Sequence, residues 1–194
     1  MKKIPVLLTF IFIVISAFAA QAQTAQIKTI KDVDFNNFSY RTMVGDAANP
    51  KTVKLSEGKL EADDLVYELL GKPVYADLNG DKSEEGIVEI KLSGGSYRAF
   101  EVQIFALQNG AAKMLARLDS DRILKDYRKY YPKTDLHYAG VNSPAVNNGI
   151  ITIEALTEGS FACPKYTAVF NYKFSAGKFI LSGKPVRKNF KCSE

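Results

Sequence analysis

The chain is poor in the side chains that most often carry catalysis. His137 is the only histidine among 194 residues, which excludes a multi-histidine metal site and leaves a Ser-His-Asp triad one residue to use. Set between Leu136 and Tyr138 in an expected strand, it reads as a packing or surface residue. No Gly-x-Ser-x-Gly elbow occurs. The turn Gly94-Gly95-Ser96-Tyr97 is too short for a phosphate-binding loop and leads into strand where such a loop would lead into helix. There are only two cysteines, Cys163 and Cys192, and their wide separation fits neither a Cys-x-x-Cys redox motif nor a zinc knuckle. No sequence repeat marks a propeller or solenoid.

The N-terminus is the first positive signal. Lys2 and Lys3 precede an apolar run from Ile4 to Phe18 that closes in Ala19-Ala20-Gln21-Ala22, the three parts of a secretory signal peptide. Cleavage is expected after Ala22, because the apolar run falls short of the roughly 20 residues that span a bilayer. No cysteine follows until Cys163, so no lipobox is expected, and no stable membrane insertion after cleavage. Removing residues 1–22 leaves 172 residues, expected as one domain over 23–194. Both signal lysines leave with them, so the net charge falls from +5 to +3. A balance that close to neutral gives no reason to expect a nucleic-acid partner. In an exported chain, secreted or periplasmic, the two cysteines are expected to form a disulfide, Cys163 to Cys192.

Hydropathy patterning predicts a mainly β fold, an antiparallel sheet of successive hairpins shaped as a sandwich or a strongly curved sheet, with two short helices. Apolar alternation marks strands at Ile87–Leu92, Phe100–Leu107, Ile150–Leu156, Thr167–Phe174 and Lys178–Leu181. Turns fall at Gly94-Gly95, Asn109-Gly110, Asn148-Gly149 and Ser175-Ala176-Gly177, where glycine or asparagine supplies the positive φ of tight hairpins. Residues 24–50 read as a lead-in strand and a loop. One helix is expected at Glu61–Leu70, with Leu65, Val66, Leu69 and Leu70 on one face and Gly71 and Pro73 as stops, although Leu65, Tyr67 and Leu69 also alternate as a strand would. The other is expected at Asp119–Tyr131, with Ser120 as cap, a stripe of Ile123, Leu124 and Tyr127, and Pro132 as terminator.

The richest local pattern is Asp77-Leu78-Asn79-Gly80-Asp81-Lys82-Ser83-Glu84-Glu85. Asp77, Asn79, Asp81, Ser83 and Glu85 alternate, so a curling loop can turn all five toward one hard cation, and calcium takes six to eight oxygen ligands. The segment resembles the calcium loops of FG-GAP, dockerin and EF-hand-like proteins, and the strand-like Gly86-Ile87-Val88-Glu89-Ile90 behind it is most similar to the FG-GAP type. Lys82 stands where an EF-hand needs glycine and Val88 where it needs its bidentate glutamate, so a full EF-hand is excluded. A plain hairpin turn on Asn79-Gly80 is the other reading. Over a longer span, Asp32-Val33-Asp34-Phe35-Asn36-Asn37-Phe38-Ser39-Tyr40, the acidic loop, Ala162-Cys163-Pro164 and Asn171-Tyr172-Lys173-Phe174 resemble a group of uncharacterised secreted or lipid-anchored bacterial proteins. That resemblance implies a small exported domain and carries no activity with it.

Two further groupings bear on function. Glu84, Glu85, Glu89 and Glu101 could supply the carboxylate pair of a small envelope hydrolase. Arg122, Lys125, Arg128, Lys129 and Lys133 lie among Tyr127, Tyr130 and Tyr131, suited either to an anionic surface polymer or to the solvated face of a helix. The leading expectation is an exported, non-enzymatic domain that binds a protein or cell-envelope ligand, with calcium and the disulfide serving stability. The alternative is the hydrolase.

Overall fold

The structure, a computed structural model, describes residues 27–43, 49–95, 97–140, 143–160 and 162–192, with backbone alone at 97 and 138–140. The expected signal peptide, residues 1–22, lies outside the described residues. Two single-turn 3₁₀ helices, Ile30–Asp32 and Phe35–Asn37, lead into β1 (Ser39–Thr42), which pairs with β2 (Lys51–Lys54) as an antiparallel ribbon. A six-stranded sheet follows in the order β3 (Lys59–Ala62), β4 (Leu65–Leu69), β6 (Glu85–Gly94), β7 (Tyr97–Gln108) and β8 (Ala111–Asp119), and β5 (Val74–Ala76) pairs with β6 on the edge that β4 also uses. One helix, α1 (Ser120–Arg128), comes next. The second six-stranded sheet holds β10 (Ala145–Asn147), β11 (Ile150–Gly159), β12 (Pro164–Ser175) and β13 (Lys178–Leu181), with β9 (Leu136–Gly140) on β11 and β14 (Val186–Asn189) on β12. All strand pairs are antiparallel.

The five expected strands lie within β6, β7, β11, β12 and β13, and the expected turns link β6 to β7, β7 to β8, β10 to β11 and β12 to β13. The helix at Asp119–Tyr131 is present, but its cap is Asp119, whose carboxylate accepts the Arg122 N–H at 2.8 Å, while Ser120 is already inside the first turn and buried. The helix expected at Glu61–Leu70 is not present. That segment is the β3–β4 hairpin, in which Asp63 and Asp64 take φ of 50° and 62°. Two consecutive positive φ values make the primed hairpin turn that short aspartates tolerate, and beyond it Tyr67 and Leu69 point into the core as a strand demands. Gly71 and Pro73, read as helix stops, instead break one edge of β6 into β4 and β5.

Two hydrophobic cores flank the first six-stranded sheet. One gathers Ile87, Phe100, Val102 and Ile104 from that sheet, Ile151, Ile153, Phe170 and Tyr172 from the second sheet, and Ile123 and Tyr127 from α1. The other gathers Val88, Ile90, Leu92 and Phe105 with Ile30, Phe35, Tyr40 and Val53 of the N-terminal segment. Its centre is aromatic: Phe35, Phe38, Tyr40 and Phe105 meet at centroid distances of 5.0–6.1 Å, and the Tyr40 hydroxyl donates to the Phe35 carbonyl at 2.6 Å. Each aliphatic side chain so buried contributes about 1.5–3 kcal/mol.

Cys163 and Cys192 form a disulfide with Cα atoms 5.7 Å apart, tying the start of β12 to the residues after β14. Among the described residues no helix is long and apolar enough to cross a membrane. Closing a loop of this length is worth roughly 3.5 kcal/mol in the chain-entropy account. The double substitution Cys163→Ser and Cys192→Ser should therefore lower unfolding free energy by about 2–4 kcal/mol in urea denaturation. An unchanged midpoint would mean that the β12–β14 pairing holds the C-terminal strand without the bridge.

Candidate functional site

The acidic loop closes on itself. Asp77 accepts N–H donation from Gly80 at 2.7 Å and Lys82 at 3.0 Å, the Asn79 carbonyl oxygen accepts from the Asp81 N–H at 2.8 Å, and Asp81 accepts from the Ser83 N–H at 2.7 Å. Glu85 is buried and takes the Leu78 N–H at 2.8 Å. Asp77, Asn79 and Asp81 thus each accept an amide from further along the loop and Glu85 accepts one from earlier in it, and Gly80 and Lys82 make the bend at φ of 81° and 69°. The Ser83 N–H is the largest influence on Asp81 and holds its carboxyl below the usual range, whereas burial pushes Glu85 above it. Among the described residues no group of three or more His, Cys, Asp or Glu is placed to hold a metal ion.

The four glutamates do not converge. Glu84 is exposed and pairs with Lys31 at 2.5 Å, and Glu85 belongs to the loop. Glu89 lies opposite Val102 in the β6–β7 ladder, while Glu101 lies opposite Ile90. Cross-strand partners share a face and neighbours along a strand do not, so Glu89 faces one core and Glu101 the other. Glu101 is buried but served: it accepts the Met43 N–H at 3.1 Å, takes a bond from the Gln103 amide, and stands 3.8 Å from Arg117. Glu89 is 1% exposed, and neither carboxyl oxygen has a hydrogen-bond partner. His137 donates from Nε2 to the Gly159 carbonyl at 3.0 Å, a bond that fastens β9 to the end of β11.

A cationic site lies where α1 meets β8 and β13. A pocket of about 410 Å³ is lined by Arg117 of β8, Arg122 and Asp126 of α1, Lys129, and Lys178 of β13, with Tyr130 and Ile180 among its apolar walls. Asp126 is fully buried and organises the cations: it accepts from Arg122 Nε at 3.2 Å, from Lys129 Nζ at 2.6 Å and from the Tyr172 hydroxyl at 3.3 Å. Burial, and then the negative charge of Asp126, push the Tyr172 phenol upward. A larger pocket of about 650 Å³ opens beside the acidic loop, but its charges are mixed, Lys28 and Lys82 against Asp81 and Glu84.

Only part of the basic and aromatic segment reaches the pocket. Arg122, Lys129 and Tyr130 line it, whereas Arg128 turns to Asp135 at 2.5 Å, and Tyr127 and Tyr131 stack with Arg187 of β14. Sequence reasoning missed Arg117, which lies at the end of β8 five residues before Arg122, and Lys178 and Ile180, which come from β13, remote in the chain. The signal that was available is Asp126, set four residues after Arg122 and three before Lys129, the helical spacing that brings all three to one face.

Glu89 makes the pH dependence of folding predictable. Burial raises its carboxyl from 4.5 to about 8, so the folded state holds a proton that the unfolded state has released. Stability from this group is full below pH 4.5 and is lost as pH rises toward 8, at up to about 1.4 kcal/mol per pH unit. Glu85 and Glu101, also raised by burial, add the same sign. Glu89→Leu should flatten the decline between pH 5 and 8 and exceed the wild type in stability at pH 8. Parallel urea-denaturation profiles for the two proteins across that range would show that Glu89 ionises freely.

No protein-family model, curated protein or solved structure matches this chain, so what the site can do rests on these residues and distances.

Proposed function

We propose that the protein is an exported, non-enzymatic domain that binds an anionic ligand of the cell envelope in the pocket between α1, β8 and β13. The convergence of Arg117, Arg122, Lys129 and Lys178 on one concavity carries this reading. Charges brought together from three elements raise the local potential and draw an anion in, and a pocket of this volume falls within the range of small-ligand sites. The scattered glutamates favour binding over the hydrolase alternative. We read the two six-stranded sheets, which share a core, as the layers of a sandwich that hold the site rigid. Export rests on the signal-like residues 1–22.

Affinity chromatography on an immobilised anionic polysaccharide, dextran sulfate, provides the test. The protein starting at Gln23 should be retained at about 50 mM salt and released as screening shortens the reach of its charges. Arg122→Gln with Lys178→Gln should elute at clearly lower salt, while Lys51→Gln with Lys54→Gln, on the remote β2, should not. Equal loss from both pairs would reduce the interaction to net charge and remove the pocket from the account.

A second proposal concerns the acidic loop as a weak calcium site that stabilises the turn. Asp81 Oδ2 and Glu85 Oε1 point at the same Asn79 amide nitrogen, from 3.0 and 2.8 Å, and a cation held by Asp77, Asn79, Asp81, Ser83 and Glu85 would replace that nitrogen as their partner. Ion binding to the folded state alone adds about 1.4 kcal/mol at ten times Kd. Calcium at 10 mM should raise Tm by roughly 3–5 °C, with magnesium less effective and Asp81→Ala abolishing the gain. If the melting temperature ignores calcium, the loop is a turn held by its own amides.

A further inference from the structure

Resting on the anionic-ligand reading, we propose that the α1–β8–β13 pocket is a receptor for a phosphomonoester dianion attached to an apolar or aromatic body. Charge selects the head group. Four cationic residues line the pocket against one carboxylate, Asp126, but the Arg117 guanidinium stands 3.8 Å from Glu101, so Arg122, Lys129 and Lys178 carry the charge a ligand would meet. Once Asp126 is subtracted, a carboxylate or sulfate monoanion would leave half of that positive charge uncompensated. A phosphomonoester carries about −1.5 to −2 near neutral pH and offers three strong acceptor oxygens.

Geometry supplies the donors. Arg122 gives Nε to Asp126, which fixes the guanidinium plane and leaves the two Nη groups of a half-exposed side chain for an oxyanion. Lys129 is held by the same carboxylate at 2.6 Å. The orienting acid is therefore buried beneath the cations it positions, and they are in place before a ligand arrives.

The body of the ligand is read from the walls. Among the described residues three large hydrophobic side chains are exposed, Tyr130, Ile180 and Val186, and the first two, 42% and 51% exposed, line this pocket. A ring or short aliphatic group beside the phosphate would cover them and remove apolar surface from water.

Titration calorimetry with phenyl phosphate, phenyl sulfate and inorganic phosphate, at pH 7.5 and about 50 mM salt to limit screening, tests each part. Phenyl phosphate should bind at least tenfold more tightly than phenyl sulfate and several-fold more tightly than inorganic phosphate. Arg122→Gln, which removes the guanidinium but keeps an amide able to donate to the buried Asp126, should weaken phenyl phosphate at least tenfold in protein whose circular dichroism spectrum matches the wild type. Ile180→Ser should erase the advantage of phenyl phosphate over inorganic phosphate without weakening the latter. Equal affinity for the sulfate, indifference to Arg122→Gln, or no binding of phenyl phosphate would each overturn the proposal. Pocket-dependent retention on dextran sulfate without phenyl phosphate binding would overturn the phosphomonoester and leave the anionic-ligand reading in place, whereas loss of both would overturn both.

Discussion

Burial of β6 and β7 on both faces is the constraint on which the remaining architecture depends. Ile87, Val102 and Ile104 face the core shared with α1 and the second sheet, while Val88, Ile90 and Phe105 face the core beneath the N-terminal aromatics. A sheet with two apolar faces cannot stand alone in water, so it requires a layer on each side. It also fixes register, since a slip of one residue would exchange the two faces and bring Glu89 and Glu101 into each other's cores. The N-terminal 3₁₀ turns and the β1–β2 ribbon are therefore structural necessities of the central sheet.

That double burial explains why the fold holds buried acids, and the acids differ in a way that separates support from function. Asp126 has three donors, Arg122, Lys129 and Tyr172, so its charge is compensated and its neighbours are ordered. Glu101 is likewise served by a backbone amide and a side-chain amide. Glu89 has none, and an unpaired carboxylate in such surroundings escapes the desolvation cost by holding its proton. The acid that organises cations is found at the pocket. The acid that no donor reaches lies within the sheet.

Much of the strand framework was legible from apolar alternation punctuated by glycine turns, because in β11 burial alternates residue by residue, although Thr167 to Phe170 of β12 are all buried. The β3–β4 hairpin was misread for a physical reason: a segment with apolar residues at 65, 66, 69 and 70 satisfies helical spacing as well as strand spacing, and what decides is the positive φ at Asp63 and Asp64, which no propensity reveals. The odd-position acids of the loop were legible as a pattern, and the structure supplies a cause, since each receives a backbone amide. The pocket was half legible. Arg122 and the C-capping Lys129 belong to one helix and Arg117 lies just ahead of it, but the placement of Lys178 beside them follows from the docking of β13 on β8, a long-range consequence of the fold.

Cations on edge strands have another use that the pocket must be weighed against. The strands β8 and β13 sit at the outer ends of their sheets, and lysine or arginine on an edge strand discourages pairing with other chains. Edge protection would account for Lys178 and for the charge on β8. It does not account for Asp126, because a charge that only repels other strands needs no orientation and gains nothing from a fully buried carboxylate placed beneath it. Burying that carboxylate has a desolvation cost that only its hydrogen bonds offset, and two of its three donors come from the cations of the pocket. Nor does edge protection account for Tyr130 and Ile180, which leave apolar surface exposed beside the charges and so work against solubility at that edge. Preorganised cations beside an exposed apolar wall are what an amphiphilic anion requires, and edge protection alone would produce neither the order nor the apolar surface.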